Sequence, residues 1–139
     1  MTADIKGAIY IATMESVHGR LKIGYTDRTT TEGCEKRIKE WQQGTGVPGK
    51  AQLEYAAFVD SDPQRIESTI HRALKSHRVE HNRRSEWFEI KIESAIKTVF
   101  EVSDKRLVRE YINSKSELTS EHAINILRKQ EREKAERER

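Results

Sequence analysis

The sequence predicts an α+β domain: a small, mostly antiparallel three-stranded sheet flanked by helices, followed by a helical C-terminal extension. Three observations carry that expectation. Two β-branched and aromatic runs, at residues 8–12 and 21–25, flank a polar stretch holding His18, Gly19 and Arg20, the pattern of a hairpin. A third run, QLEYAAFVD at 52–60, alternates Leu53, Tyr55, Ala57 and Val59 with residues of the opposite face, the period of a half-buried strand. Between and after these runs, apolar residues recur at helical spacing.

In chain order, the hairpin is expected to close through a longer polar loop. A helix from about residue 32 to 43 follows, with Cys34, Ile38 and Trp41 on one side and GTGVPG ending it. Arg37 and Trp41 lie four apart on this helix and share a face. After the third strand, Asp62 or Ser61 with Pro63 forms a start signal, because an Asp or Ser cap followed by proline suits a first helical turn. That helix has Ile66, Ile70, Ala73 and Leu74 as its core stripe, and Glu67 and His71 project side by side next to it. The polar run RVEHNRRS leads to EWFEI, a short β-like segment with Trp87 and Phe88 as structural anchors, and residues 91–101 read as a further helix. The domain is expected to span residues 1–103. Beyond it, Leu107, Val108, Tyr111 and Ile112 form one helical stripe and Ala123, Ile124 and Leu127 another, giving a helical hairpin over 104–139. Its last stretch, RKQEREKAERER, is too polar to bury and is expected to be exposed.

Composition narrows the class. At 139 residues the chain suits one domain with an appendage. Hydrophobic and charged residues each make up 35%, no run reaches the roughly 18 apolar residues of a membrane helix, and MTADIKGAIY lacks a signal-peptide profile, so a cytoplasmic protein is expected. The single Cys34 forms no intrachain disulfide and builds no cysteine-rich zinc site, in keeping with a reducing compartment. A net charge of +3 permits a nucleic-acid partner without demanding one.

The ordered set G-x-I-Y on the first strand, K-I-G-x-T on the second, Arg37 on a helix, the E-x-x-x-H of Glu67 and His71, then E-W-F resembles the GIY-YIG nuclease superfamily. More narrowly it is similar to the phage-orf and meiotically up-regulated gene branch, in which lysine commonly stands at the second motif tyrosine. The resemblance covers roughly residues 5–92. It implies a metal-dependent DNA endonuclease using Mg²⁺ or Mn²⁺. Carried over residue by residue, it places Tyr10 near the attacking water, Lys22 where the second tyrosine stands, Arg37 on the scissile phosphate and Glu67 on the metal. It further matches Gly24 to the last letter of the motif, and Asn82 to a late asparagine of some members. His71 is typical of the branch.

The chemistry is coherent on its own terms. Phosphodiester hydrolysis needs an activated water, charge neutralisation on the phosphate and help for the leaving oxygen. Glu67 can hold one Mg²⁺ whose shell is completed by water, and Arg37 has the planar fork of donors that fits a phosphate. The general base is harder. A phenol of pKa about 10 is ionised in roughly one molecule in 300 near pH 7.5, so Tyr10 as base costs about 3.4 kcal/mol unless its pKa falls. A lysine ammonium at Lys22 could lower it; a neutral Lys22, or His71, could instead carry the proton. Arg83 and Arg84 are candidate phosphate contacts.

Each residue also has a plainer reading: strand packing with a solvated ammonium for Tyr10 and Lys22, a helix-edge polar pair for Glu67 and His71, a surface charge for Arg37. Two further functional readings stay open. One is a nucleic-acid-binding protein on the same fold that cleaves weakly or not at all. The other is an interaction module in which residues 104–139 form a homodimer or recruit a partner protein.

Overall fold

The computed structural model describes residues 4–15, 17–45, 49–79, 87–115 and 118–138, with the side chains of residues 18 and 45 excepted. Its elements are β1 (Gly7–Met14), β2 (Val17–Thr26), α1 (Thr31–Thr45), β3 (Ala51–Val59), α2 (Pro63–Ala73), a 3₁₀ turn at Lys75–His77, β4 (Trp87–Phe88), α3 (Ile92–Ser103), a second 3₁₀ turn at Asp104–Arg106, β5 (Leu107–Ile112) and α4 (Glu121–Arg137). The strands form one antiparallel sheet in the order β4-β2-β1-β3-β5. No helix of the described residues is long and apolar enough to cross a membrane.

The sheet therefore has five strands where three were expected. The members beyond three are the short β4, the β-like Trp87–Phe88 segment now seen to join the sheet by pairing Leu21 with Phe88 and Lys22 with Trp87, and β5 on the far edge, which was not expected as a strand. The helical stripe expected over Leu107–Ile112 is a strand. Its residues LVREYI are β-branched and aromatic enough to extend, and the open edge of β3 supplies the backbone partners that decide between the two conformations. The helical hairpin expected over residues 104–139 thus reduces to one helix, α4. It closes the new edge: the Gln130 amide accepts from Ile112 N at 2.8 Å and donates to Ile112 O at 2.9 Å. The carboxylate of Glu93 on α3 accepts from Thr119 N at 2.6 Å and Ser120 N at 2.7 Å, tying down the chain that enters α4.

The polar stretch after β1 is also no long loop. β1 runs to Met14 and β2 begins at Val17, with the register shift between Ala12 and Met14 absorbed in β2 near Gly19, whose φ of 75° suits glycine.

Both faces of the sheet are covered. Ile9, Ile11, Ile23, Tyr55, Ala57 and Val59 pack under α2, α3 and α4, while Tyr10, Ala56 and Phe58 pack under Cys34 and Ile38 of α1. β3 is consequently buried without a break from Leu53 to Val59, not half-buried as its alternation suggested. Local caps set the helix starts. Thr30 Oγ1 accepts from Gly33 N at 3.0 Å ahead of α1, and Asp62 accepts from Gln64 N at 3.1 Å ahead of α2, with Pro63 at the first turn as expected.

Candidate functional site

Tyr10 lies opposite Gly24 in the β1–β2 ladder and turns its side chain to the α1 face. The phenol covers Gly24 so closely that a Cβ there would stand 2.6 Å from Tyr10 Oη and 2.7 Å from Cζ. The positive-φ glycines among the described residues are Gly19 and Gly49, so position 24 needs glycine for space and not for backbone freedom. Although Tyr10 is only 1% exposed, it lines an open cleft of about 390 Å³ together with Arg37, Tyr25, Thr26 and Asp27. Arg37 reaches this cleft because α1 crosses the face, held at its start by the Thr30 cap and along its length by Arg28, whose guanidinium meets Glu40 at 3.1 Å.

Lys22 faces Ala12 in the ladder, two residues from Gly24 and on the same side as Tyr10. It is buried, with Nζ 4.2 Å from the Trp41 ring centroid, and Trp41 is tilted against Trp87 at 5.6 Å. The ammonium thus rests on an indole face, where the ring quadrupole attracts a cation, in contrast to the solvated lysine of the plainer reading.

Glu67 and His71 come from the opposite side, on α2, whose Ile66 and Ile70 enter the other core. Glu67 is 7% exposed, and its Oε1 lies 3.8 Å from His71 Nε2. His71 Nε2 also lies 2.9 Å from the carbonyl oxygen of Ile23, and its Nδ1 lies 3.1 Å from Arg78 Nη2. A carbonyl only accepts and a guanidinium only donates, so these partners assign the neutral ring with its hydrogen on Nε2. Ile23 directly precedes Gly24. The candidate residues therefore converge on one stretch of β2 from its two sides, Tyr10, Lys22 and Arg37 on the α1 side, Glu67 and His71 on the α2 side. Asn82, Arg83 and Arg84 lie outside the described residues.

Residues 7–103 match the family model of the T5orf172 domain. The chain belongs to the T5orf172 domain family. This domain is found in phage and GIY-YIG-like nuclease-associated proteins. No curated protein and no solved structure matches the chain significantly. The T5orf172 match runs from β1 through α3 and includes Tyr10, Lys22, Arg37, Glu67 and His71, while β5 and α4 lie beyond it.

Within the T5orf172 domain, the donor set for a metal is sparse. Among the described residues no three His, Cys, Asp or Glu side chains are grouped to hold an ion. A single buried carboxylate such as Glu67 suits Mg²⁺, which keeps several waters and takes few protein ligands, better than it suits a zinc site. Sequence reasoning missed Tyr25, Thr26 and Asp27 in the cleft and Arg78 against His71. The first three follow Gly24 directly, and that adjacency was the available signal. Arg78 sits in a polar run with no periodicity to mark it.

Proposed function

We propose that this T5orf172 domain is a metal-dependent DNA endonuclease of the GIY-YIG kind. The observation that carries the reading is the shared cleft of Tyr10 and Arg37, with the phenol fitted over Gly24. In this reading Arg37 grips a non-bridging oxygen of the scissile phosphate. Tyr10 Oη, as the phenolate, takes the proton of the attacking water as the water oxygen bonds to phosphorus and the bond to the leaving sugar oxygen breaks, that oxygen taking its proton from solvent water. Lys22 serves in this reading as the cation on that side of β2, its Nζ resting 4.2 Å from the Trp41 ring centroid. A cation on that side of β2 offsets part of the cost of about 3.4 kcal/mol for ionising an ordinary phenol near neutral pH. Glu67 would hold Mg²⁺ or Mn²⁺, which when bound supplies charge neutralisation at the phosphate. His71 has both ring nitrogens engaged, so it acts as a positioning residue that holds α2 to Ile23, not as a proton carrier.

Nicking of supercoiled plasmid with Mg²⁺ tests the reading. The wild type is expected to nick, with chelation stopping it. Tyr10→Phe and Arg37→Ala are each expected to slow nicking on the order of 10²-fold, and Glu67→Ala to remove the metal-dependent activity. Equal, weak nicking by the wild type and all three variants would sink the endonuclease reading and leave a binding module on the same fold.

A further inference from the structure

From Pro63 to Val79 the chain carries Arg65, Arg72, Lys75 and Arg78 against one carboxylate, Glu67, whereas the whole chain sets 26 cations against 23 carboxylates. That carboxylate is buried, and Asp60 and Asp62 lie beyond the opposite end of α2. Among the described residues Glu89 is the exposed carboxylate bonded through its backbone to the first 3₁₀ turn, its N–H donating to His77 O at 2.8 Å, and its side chain is paired with Arg20 at 3.4 Å. Ser68, His71, Arg72, Lys75 and Arg78 line a groove of about 620 Å³ there. Among the described residues none of the four cations enters an ion pair. The Arg72 guanidinium donates to Thr69 Oγ1 at 3.3 Å. Arg78 is held in place by His71 Nδ1 and by the Phe88 ring, 5.7 Å from its guanidinium carbon, so its fork is oriented before any ligand arrives. α4 makes the contrast: its Arg128, Lys129, Arg132 and Lys134 are interleaved with Glu131, Glu133 and Glu136, and the opposite charges cancel at a distance.

The groove begins at Ser68 and His71, next to Glu67 in sequence and in space. We propose that it is the track for the DNA backbone flanking the cut, with Arg72 and Lys75 as phosphate contacts and Arg78 as a fixed cation between them and Glu67. This deepens the endonuclease reading and rests on it for the identity of the polyanion.

The test is binding of a short fluorescent DNA duplex to the full chain without divalent metal, by anisotropy over a range of salt concentrations. Each phosphate contact contributes about 0.9 to the slope of log K against log salt. Arg72→Ala with Lys75→Ala is expected to make the slope shallower by roughly 2. Arg128→Ala with Arg132→Ala, equally exposed on α4, is expected to leave it unchanged. All four side chains are exposed, and circular dichroism checks that both variants fold. An unchanged slope in the groove variant overturns the proposal, as does an equal loss in the α4 variant or a wild type without salt-dependent affinity. Groove-dependent binding by a wild type that does not nick would overturn the endonuclease reading alone.

Discussion

Replacing Gly24 by alanine probes the contact that defines the cleft. The new Cβ would stand 2.6 Å from Tyr10 Oη and 2.7 Å from Cζ, where ordinary contact starts near 3.4 Å. The phenol must therefore retreat by about 0.8 Å, in a close-packed interior that yields little. It has nowhere easy to go: Tyr10 is 1% exposed and is packed among Ala8, Ala12, Cys34 and Ile38. Overpacking of this kind costs about 1–3 kcal/mol, and the lost freedom of glycine in the unfolded chain returns about 0.4–1 kcal/mol, so a net loss of about 1–2 kcal/mol is expected. Urea unfolding measures it. In a Tyr10→Leu background, which removes the ring, the same substitution should cost less than about 0.5 kcal/mol, because the two effects share one contact. On the proposed function, misplacing the phenol by nearly an ångström slows nicking on the order of 10²-fold. A neutral or stabilising Gly24→Ala, or an equal cost in both backgrounds, would refute the packing account.

Three further outcomes follow from the fold. Gln130→Leu leaves the buried Ile112 N–H and C=O without their side-chain partner and is expected to cost about 2 kcal/mol or more in urea unfolding; hydrogen exchange at Ile112 should quicken, and unchanged exchange would contradict the edge-closing role. Burial, reinforced by the Glu110 carboxylate that accepts from its hydroxyl at 2.5 Å, holds the Tyr55 pKa well above 10. The unfolded chain then ionises first, so this contribution is full below about pH 10 and is lost as pH rises through the folded value. Between about pH 9 and about pH 11 the urea midpoint of the wild type should therefore fall more than that of Tyr55→Phe. Burial, outweighing Arg109 and Arg28, pushes the Cys34 thiol up to about 11, so alkylation near neutral pH should proceed only as fast as the protein unfolds; rapid labelling of folded protein would show the thiol to be accessible.

Several elements were legible locally. Asp62-Pro63 reads as a helix start because a cap and its proline act within one turn. Glu67 and His71 read as neighbours because four residues make slightly more than one helical turn, and the structure sets them 3.8 Å apart. The contact of Lys22 with Trp41 was not legible: those residues belong to different elements and meet only when α1 crosses the sheet. Nor were the roles of His71 and His122. Their partners, the Ile23 carbonyl and Glu110, come from other elements, and His122 Nε2 meets Glu110 Oε2 at 2.8 Å as part of the packing around Tyr55.

What the sequence by itself determined is the local periodicity, the caps and the order of chemical groups along the chain: a strand with Tyr10, a strand with Lys22 and Gly24, a helix with Arg37 and a helix with Glu67 and His71. What only the tertiary structure decided is which edge each strand meets and which groups share a cleft. Leu107–Ile112 extends because β3 leaves backbone groups open to it, and β3 is buried on both faces because helices cover each. Periodicity is a property of neighbours in the chain, whereas hydrogen-bond partners and burial come from segments far apart in it, and pairing at an edge can reverse a local preference worth only tenths of a kcal/mol per residue.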